Sequence, residues 1–378
     1  MTHNNKLKTY PLPKAKHVKV HGRTTQALKP LTLFWTGSGI ELNIKGSELW
    51  IEIEADYQVY EHWISIVING APMSRLMVTA GRHWICLLRG MNPDRVKNVR
   101  VVKDVQPMSF DSRILLQIHA LRIDGELLPV TDKPYKVEFI GDSITSGEGA
   151  IGAREETDWV PMLFTALHNY SAITAEALNA DYRVLSQSGW GVLTSWDNNP
   201  HANIPAYYEQ ICGMLIGERN EALGALSDHD FTSWQPDVVV VNLGTNDGGA
   251  FYSPAWTDPA SGKVYKQRLN EDGTFNEEDL QVFENATKNF LVKLRACNPA
   301  AHIVWVYGML GTPMMPAIYR AVDAYKKRTR DRDVSVFQLP NTTEETLGSR
   351  SHPGLLAHTK AANELTGYLR EILKNYNP

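Results

Sequence analysis

Residues 136–144 read Lys136-Val137-Glu138-Phe139-Ile140-Gly141-Asp142-Ser143-Ile144. A short, mostly apolar run that stops at Gly-Asp-Ser predicts a strand, Lys136 to Ile140, closed by a strand-to-helix turn carrying a serine. A serine there is exposed at a sheet edge and can serve as a nucleophile. Taken alone, the tripeptide is also an ordinary turn with an N-cap serine. The residues that follow decide between the two.

Downstream, apolar stretches alternate with amphipathic ones. Strands are expected at Tyr182 to Gln187, Asp237 to Leu243, His302 to Tyr307 and Val334 to Gln338. Helices are expected at Trp159 to Leu178, in part of Ile204 to Ile216, and at Glu277 to Cys297, Met314 to Arg330 and Gly354 to Asn375. Val238 to Val241 is apolar on both faces, as a covered parallel sheet requires. Leu356, Ala361, Leu365, Leu369 and Leu373 recur near helical spacing and predict a buried stripe. Residues 135–378 therefore read as a three-layer α/β/α domain with a five-stranded parallel sheet, whose ligands bind beyond the carboxyl ends of the strands. Residues 248–275 read as a long irregular insertion after the third strand.

Upstream the pattern is different. Leu49, Ile51 and Ile53 alternate with Trp50, Glu52 and Glu54, the period of a two-faced strand. Ile64 to Ile68 runs into Asn69-Gly70, a two-residue hairpin signal. With Trp84 to Leu88, Val99 to Val105 and Ile114 to Ile123, residues 1–130 predict an antiparallel β-sandwich of jelly-roll type, its strands between about residues 15 and 128. Pro129 to Pro134 reads as the linker. A chain of 378 residues suits two domains.

Composition narrows the class of function. Hydrophobic residues are 43% and charged residues 21%, the profile of a folded chain, and a formal net charge of -4 gives no footprint for nucleic acid. No apolar run reaches the ~20 residues needed to cross a bilayer. The opening residues lack the apolar core of a secretory signal, so a cytoplasmic location is expected. Cys86, Cys212 and Cys297 are odd in number and far apart, which fits neither a disulfide framework nor a zinc cluster. No metal or organic cofactor is expected.

Three more motifs fall after the expected strands. Ser188-Gly189-Trp190-Gly191 offers a glycine N–H close to a ligand, from Gly189 or from Gly191. Gly244-Thr245-Asn246-Asp247 offers an amide donor on Asn246. Ser351-His352-Pro353 places a histidine just before the last helix, where it can reach the serine as general base. Gly147-Glu148-Gly149-Ala150-Ile151-Gly152 matches the dinucleotide pattern G-x-G-x-x-G. It starts seven residues beyond Ile140, and the second strand ends without an acidic residue for a ribose. The α/β-hydrolase elbow fails because Thr145 stands at its last glycine.

In order and placement these four blocks resemble the SGNH/GDSL hydrolase superfamily. The resemblance implies Ser143 as nucleophile, His352 as base, and an oxyanion hole from Ser143, Gly189 and Asn246. It extends over nearly all of residues 136–378. The family usually has an Asp three residues before the histidine; here that position is Ser349. The imidazole would then be oriented by a backbone carbonyl, by the Ser349 hydroxyl, or by Glu344 or Glu345. Asp142 reads as a brace for the turn. A β-sandwich ahead of such a domain is similar to carbohydrate esterase family 2, some members of which lack the Asp. That implies an esterase removing O-acetyl groups from acetylated xylo-oligosaccharides, with Trp190 and Trp256 as substrate-binding aromatics and Trp196 behind them. A short-chain lipid or thioester hydrolase on the same scaffold, and a carbohydrate-binding protein with a vestigial site, are the competing readings. An uncovered sandwich face would allow a homo-oligomer.

Overall fold

Each residue of the alternating stretch takes the side its polarity demands. Leu49, Ile51 and Ile53 are fully buried while Trp50, Glu52 and Glu54 stay partly accessible along the strand Leu49–Asp56. The computed structural model describes residues 7–25 and 27–374. In it the chain forms two units: one takes in residues up to Asp132 together with Val160–Met162 and Gln210–His229, the other the remainder.

The first unit contains two antiparallel sheets. In one, Lys8–Pro11, Leu115–Ile123, Leu49–Asp56 and Gly81–Leu88 lie in that order, with Leu31–Thr32 also on Leu115–Ile123. In the other the order is Glu126–Leu128, Gly39–Lys45, Val96–Lys103, His62–Ile68 and Ala71–Val78, with Lys19–His21 on Gly39–Lys45. Ile40, Leu42, Ile64, Ile66, Val99 and Val101 of the second sheet share one core with Ile51, Ile53, Ile118 and Leu121 of the first. That is a β-sandwich. The hairpin at Asn69-Gly70 turns with φ of 51° and 82°, the pair of positive values a two-residue turn needs.

The second unit is built on a parallel sheet ordered Ala180–Ser186, Tyr135–Gly141, Val238–Asn242, His302–Gly308 and Val334–Leu339. Helices Tyr170–Ala177 and Leu355–Lys374 pack on one face, and Glu277–Cys297 and Met315–Thr329 on the other. Val238 and Val240 join the first layer's core, and all four valines of that strand are at 0% exposure.

Several expected elements are shorter. Only Tyr170–Ala177 of Trp159 to Leu178 is α-helical. Asn169 starts it late, accepting the Ala172 N–H on its side chain, and the segment before holds only the single turn Pro161–Leu163. Between Ile204 and Ile216 there is one 3₁₀ turn, Pro205–Tyr207, because the Ile211 and Cys212 N–H groups donate to Ser227 and Ala225 carbonyls instead of along a helix. The insertion 248–275 is less irregular than its composition suggests: it completes the helix Thr245–Ala250 and holds the hairpin Trp256–Thr257/Val264–Tyr265. Leu356 is 60% exposed, so the buried stripe of the last helix runs through Ala357, Ala361, Leu365, Leu369 and Leu373. Asn375, the expected end of that helix, lies outside the described residues. Among the described residues no helix is long and apolar enough to cross a membrane.

Candidate active site

The strand Tyr135–Gly141 ends on the turn its sequence announces. Asp142 is the N-cap of a four-residue helix, Ser143–Ser146, and its carboxylate accepts the Ile144 N–H at 3.0 Å. The brace is therefore Asp142, and Ser143 is the first helical residue. Its N–H belongs to the first turn, where no intrahelical acceptor exists.

His352 sits at the end of the turn Ser349–Ser351, just before the last helix. Its Nδ1 lies 2.9 Å from the Arg350 carbonyl. A carbonyl only accepts, so Nδ1 carries the hydrogen and Nε2 is left as an acceptor. Nε2 is 3.0 Å from Ser143 Oγ, which donates to it. Of the possible orienting groups for the imidazole, the backbone carbonyl is the one in place. The Ser349 hydroxyl donates to the Ile151 carbonyl at 3.1 Å. Glu344 is an exposed side chain 3.9 Å from Arg154, and Glu345 is exposed as well.

Asn246 lies in the first turn of the helix Thr245–Ala250, after the strand Val238–Asn242. Its Nδ2 donates to Asp142 Oδ2 at 3.2 Å and to the Trp190 carbonyl at 2.9 Å, so it ties the serine turn to the loop after the neighbouring strand. Asp247 anchors that loop: its carboxylate accepts the N–H groups of Val192, Leu193 and Thr194. A side chain on Gly191 would meet Asp247 Oδ2 at 2.3 Å, so the close approach of this loop depends on a glycine there. Gly189 has φ +80°, and its carbonyl accepts the Trp196 N–H at 3.0 Å.

Burial pushes the Asp142 carboxyl up to about 7, helped by the charges of Asp247 and Glu148 and opposed by the Ile144 N–H. Burial likewise raises Asp247 to about 6, against its three backbone donors. Glu148 was not singled out from the sequence. It is buried, its Oε1 accepts from Arg350 Nε at 2.8 Å, and it stands 3.8 Å from His352 Nε2.

The aromatic residues separate. Trp190 is half-buried, its ring 5.5 Å from that of Tyr207. Trp256 is turned into its own hairpin, against Tyr265 and His201. Trp196 is 55% exposed, with its ring edge against Gly189.

A parallel-sheet unit with a serine hydrogen-bonded to a histidine, and amide donors on the adjoining loops, has the architecture of a serine hydrolase of the SGNH class. The GDSL-like lipase/acylhydrolase family model matches residues 139–358, and the chain belongs to that family. Its structural neighbours include an acetyl xylan esterase (Est2A) from the rumen bacterium Butyrivibrio proteoclasticus, 45% identical, with a TM-score of 0.96 over 98% of this chain and 100% of that one. A family two carbohydrate esterase from Clostridium thermocellum in complex with cellohexaose is 25% identical, with a TM-score of 0.77 over 94% of this chain and 99% of that one. A curated relative, the cellulase/esterase CelE of Acetivibrio thermocellus, is 27% identical over 354 residues; these are 90% of this chain but 37% of that protein.

Proposed function

We propose that this protein is a serine esterase that removes O-acetyl groups from xylan-derived sugars. The observation that carries the reading is the 3.0 Å contact between Ser143 Oγ and Nε2 of His352, with the Arg350 carbonyl 2.9 Å from the other ring nitrogen. The likeness to an acetyl xylan esterase at 45% identity over nearly the whole chain supports acetyl and xylan as the substrate class.

In the proposed reaction His352 Nε2 takes the Ser143 proton as Oγ attacks the acetyl carbonyl. The tetrahedral oxyanion receives the Ser143 and Gly189 N–H groups and the Asn246 amide. For Asn246 this means exchanging the longer of its two contacts, the one to Asp142, for the oxyanion. The imidazolium then protonates the departing sugar hydroxyl, leaving acetyl-Ser143. Water, deprotonated by His352, attacks that ester and releases acetate. Trp196, exposed beside Gly189, is the aromatic best situated to stack on a sugar ring.

The test is hydrolysis of acetyl, butyryl and octanoyl nitrophenyl esters, followed by acetate release from acetylated xylo-oligosaccharides. Acetyl preference, abolished in both Ser143→Ala and His352→Ala, is expected. Octanoyl preference would replace this reading with a lipid or thioester hydrolase. A folded wild type inert on all of them would favour a sugar-binding protein.

A further inference from the structure

The stretch Gly147–Gly152, with its dinucleotide-like glycine spacing, has a different occupant: the histidine loop. Gly149 has φ +68°, and a Cβ on it would lie 2.3 Å from the Ser349 carbonyl oxygen and 2.7 Å from His352 Cβ. The Ser349 N–H donates to the Gly149 carbonyl at 3.0 Å, so the two loops are laced backbone to backbone. Between Gly147 and Gly149, Glu148 points its carboxylate at the histidine loop.

Arg350 is fixed from several directions. Its Nε donates to Glu148 Oε1 at 2.8 Å, its Nη1 to the Thr157 carbonyl at 2.8 Å and its N–H to the Glu156 carbonyl at 2.7 Å. Its φ of 55° is left-handed, as is that of Ser351. Two such residues in succession are held only where their surroundings over-determine them. The result of that conformation is the Arg350 carbonyl 2.9 Å from His352 Nδ1.

A triad carboxylate does two things: it fixes the imidazole tautomer and direction, and it stabilises the imidazolium that forms when the serine proton arrives. We infer that here the two tasks are divided between two positioning residues, the Arg350 carbonyl setting the tautomer at Nδ1 and the buried Glu148 carboxylate stabilising the imidazolium from the Nε2 side. Resting on the esterase reading, this names what replaces the Asp absent at Ser349. The charged and titratable groups facing the ring are Glu148, Arg350 and, from the last helix, His358, which burial lowers to about 3 and so keeps neutral.

Glu148→Gln keeps an oxygen for Arg350 and removes the charge. It is expected to lower kcat on nitrophenyl acetate about tenfold, leave KM unchanged, and move the acid limb of the pH profile down by about one unit. Glu148→Asp, which keeps the charge, leaves the limb near its wild-type place. Arg350→Met removes the guanidinium that balances Glu148 and moves the limb the other way. General damage to the loop would not give opposite signs. NMR titration of the His352 ring reads the same shifts without turnover, so it judges the inference even if the esterase reading fails. A folded Glu148→Gln enzyme with kcat and limb unchanged overturns it. So does an Arg350→Met enzyme whose limb stays in place or moves down, and this arm, with Glu148→Asp as the charge-keeping control, decides the point if Glu148→Gln does not fold.

Discussion

Asp142 is fully buried, with an N–H donor on one carboxylate oxygen and the Asn246 amide on the other. Its pKa rises from 3.8 unfolded to about 7 folded, so the folded state holds this proton more tightly. The resulting stabilisation is complete below about pH 4 and is lost as the pH rises through 7. Between pH 5 and 8 the change is about 2 to 3 kcal/mol. Asp142→Asn removes this dependence, so its Tm relative to wild type should be higher at pH 8 than at pH 5, as calorimetry at the two pH values can check. At this scale the Ser143–His352 pair, which the fold brings to 3.0 Å, was readable from sequence, since each residue stands in a short motif. Glu148 was not, because its significance comes from Arg350, two hundred residues away. The exposure of Trp196 beside Gly189 is a tertiary property that the sequence does not carry. Trp196→Ala should raise KM for an acetylated xylo-oligosaccharide more than for nitrophenyl acetate; equal effects on both would remove it from the sugar contact.

Among the elements, the loop from Gly189 to Thr194 is held by one carboxylate, and its geometry depends on Gly191. An added methyl there would meet both Asp247 Oδ2 and the Thr194 carbonyl at 2.3 Å, and the latter is backbone. Gly191→Ala should therefore cost on the order of 2 to 4 kcal/mol and lower kcat, since the same loop carries Gly189. Gly367 is the contrast. It lies inside the helix Leu355–Lys374 with nothing within 4 Å of an added Cβ, so Gly367→Ala should stabilise by about 0.5 to 1 kcal/mol. Thermal melts of the two variants give the sign directly. Long periodic elements such as Glu277–Cys297 were legible because a single buried face repeats over many turns. The stretch Trp159 to Leu178 is helical only over Tyr170–Ala177, because apolar content does not show where a helix starts. Here Thr165 Oγ1 takes the Leu167 and His168 N–H groups, and Asn169 caps a helix that starts only at Tyr170.

At the scale of the whole molecule, residues 210–229 lie inside the sequence of the sheet-and-helix unit yet belong to the β-sandwich unit. The Trp35 indole N–H donates to the Ile211 carbonyl at 2.6 Å, and Arg219 pairs with Asp56. Ile211, Cys212 and Leu215 are each at most 6% exposed. Local pattern could not reveal this, because periodicity reports which face is buried and not which distant partner buries it. Hence Pro129 to Pro134, a boundary by composition, is not a place to cut the chain. A fragment beginning at Lys133 would carry residues 210–229 without Trp35, Asp56 and the rest of the sandwich. Exposing three apolar side chains forfeits roughly 5 to 8 kcal/mol of burial, comparable with the entire ~5 to 15 kcal/mol stability of an ordinary domain. The fragment 133–378 is therefore expected to aggregate or melt well below the full chain, even though Ser143, Asn246 and His352 all remain in it. Size-exclusion chromatography and acetylesterase assay of the fragment decide the point. A soluble monomer with wild-type kcat would mean that residues 210–229 can be stripped of the sandwich without consequence for the site.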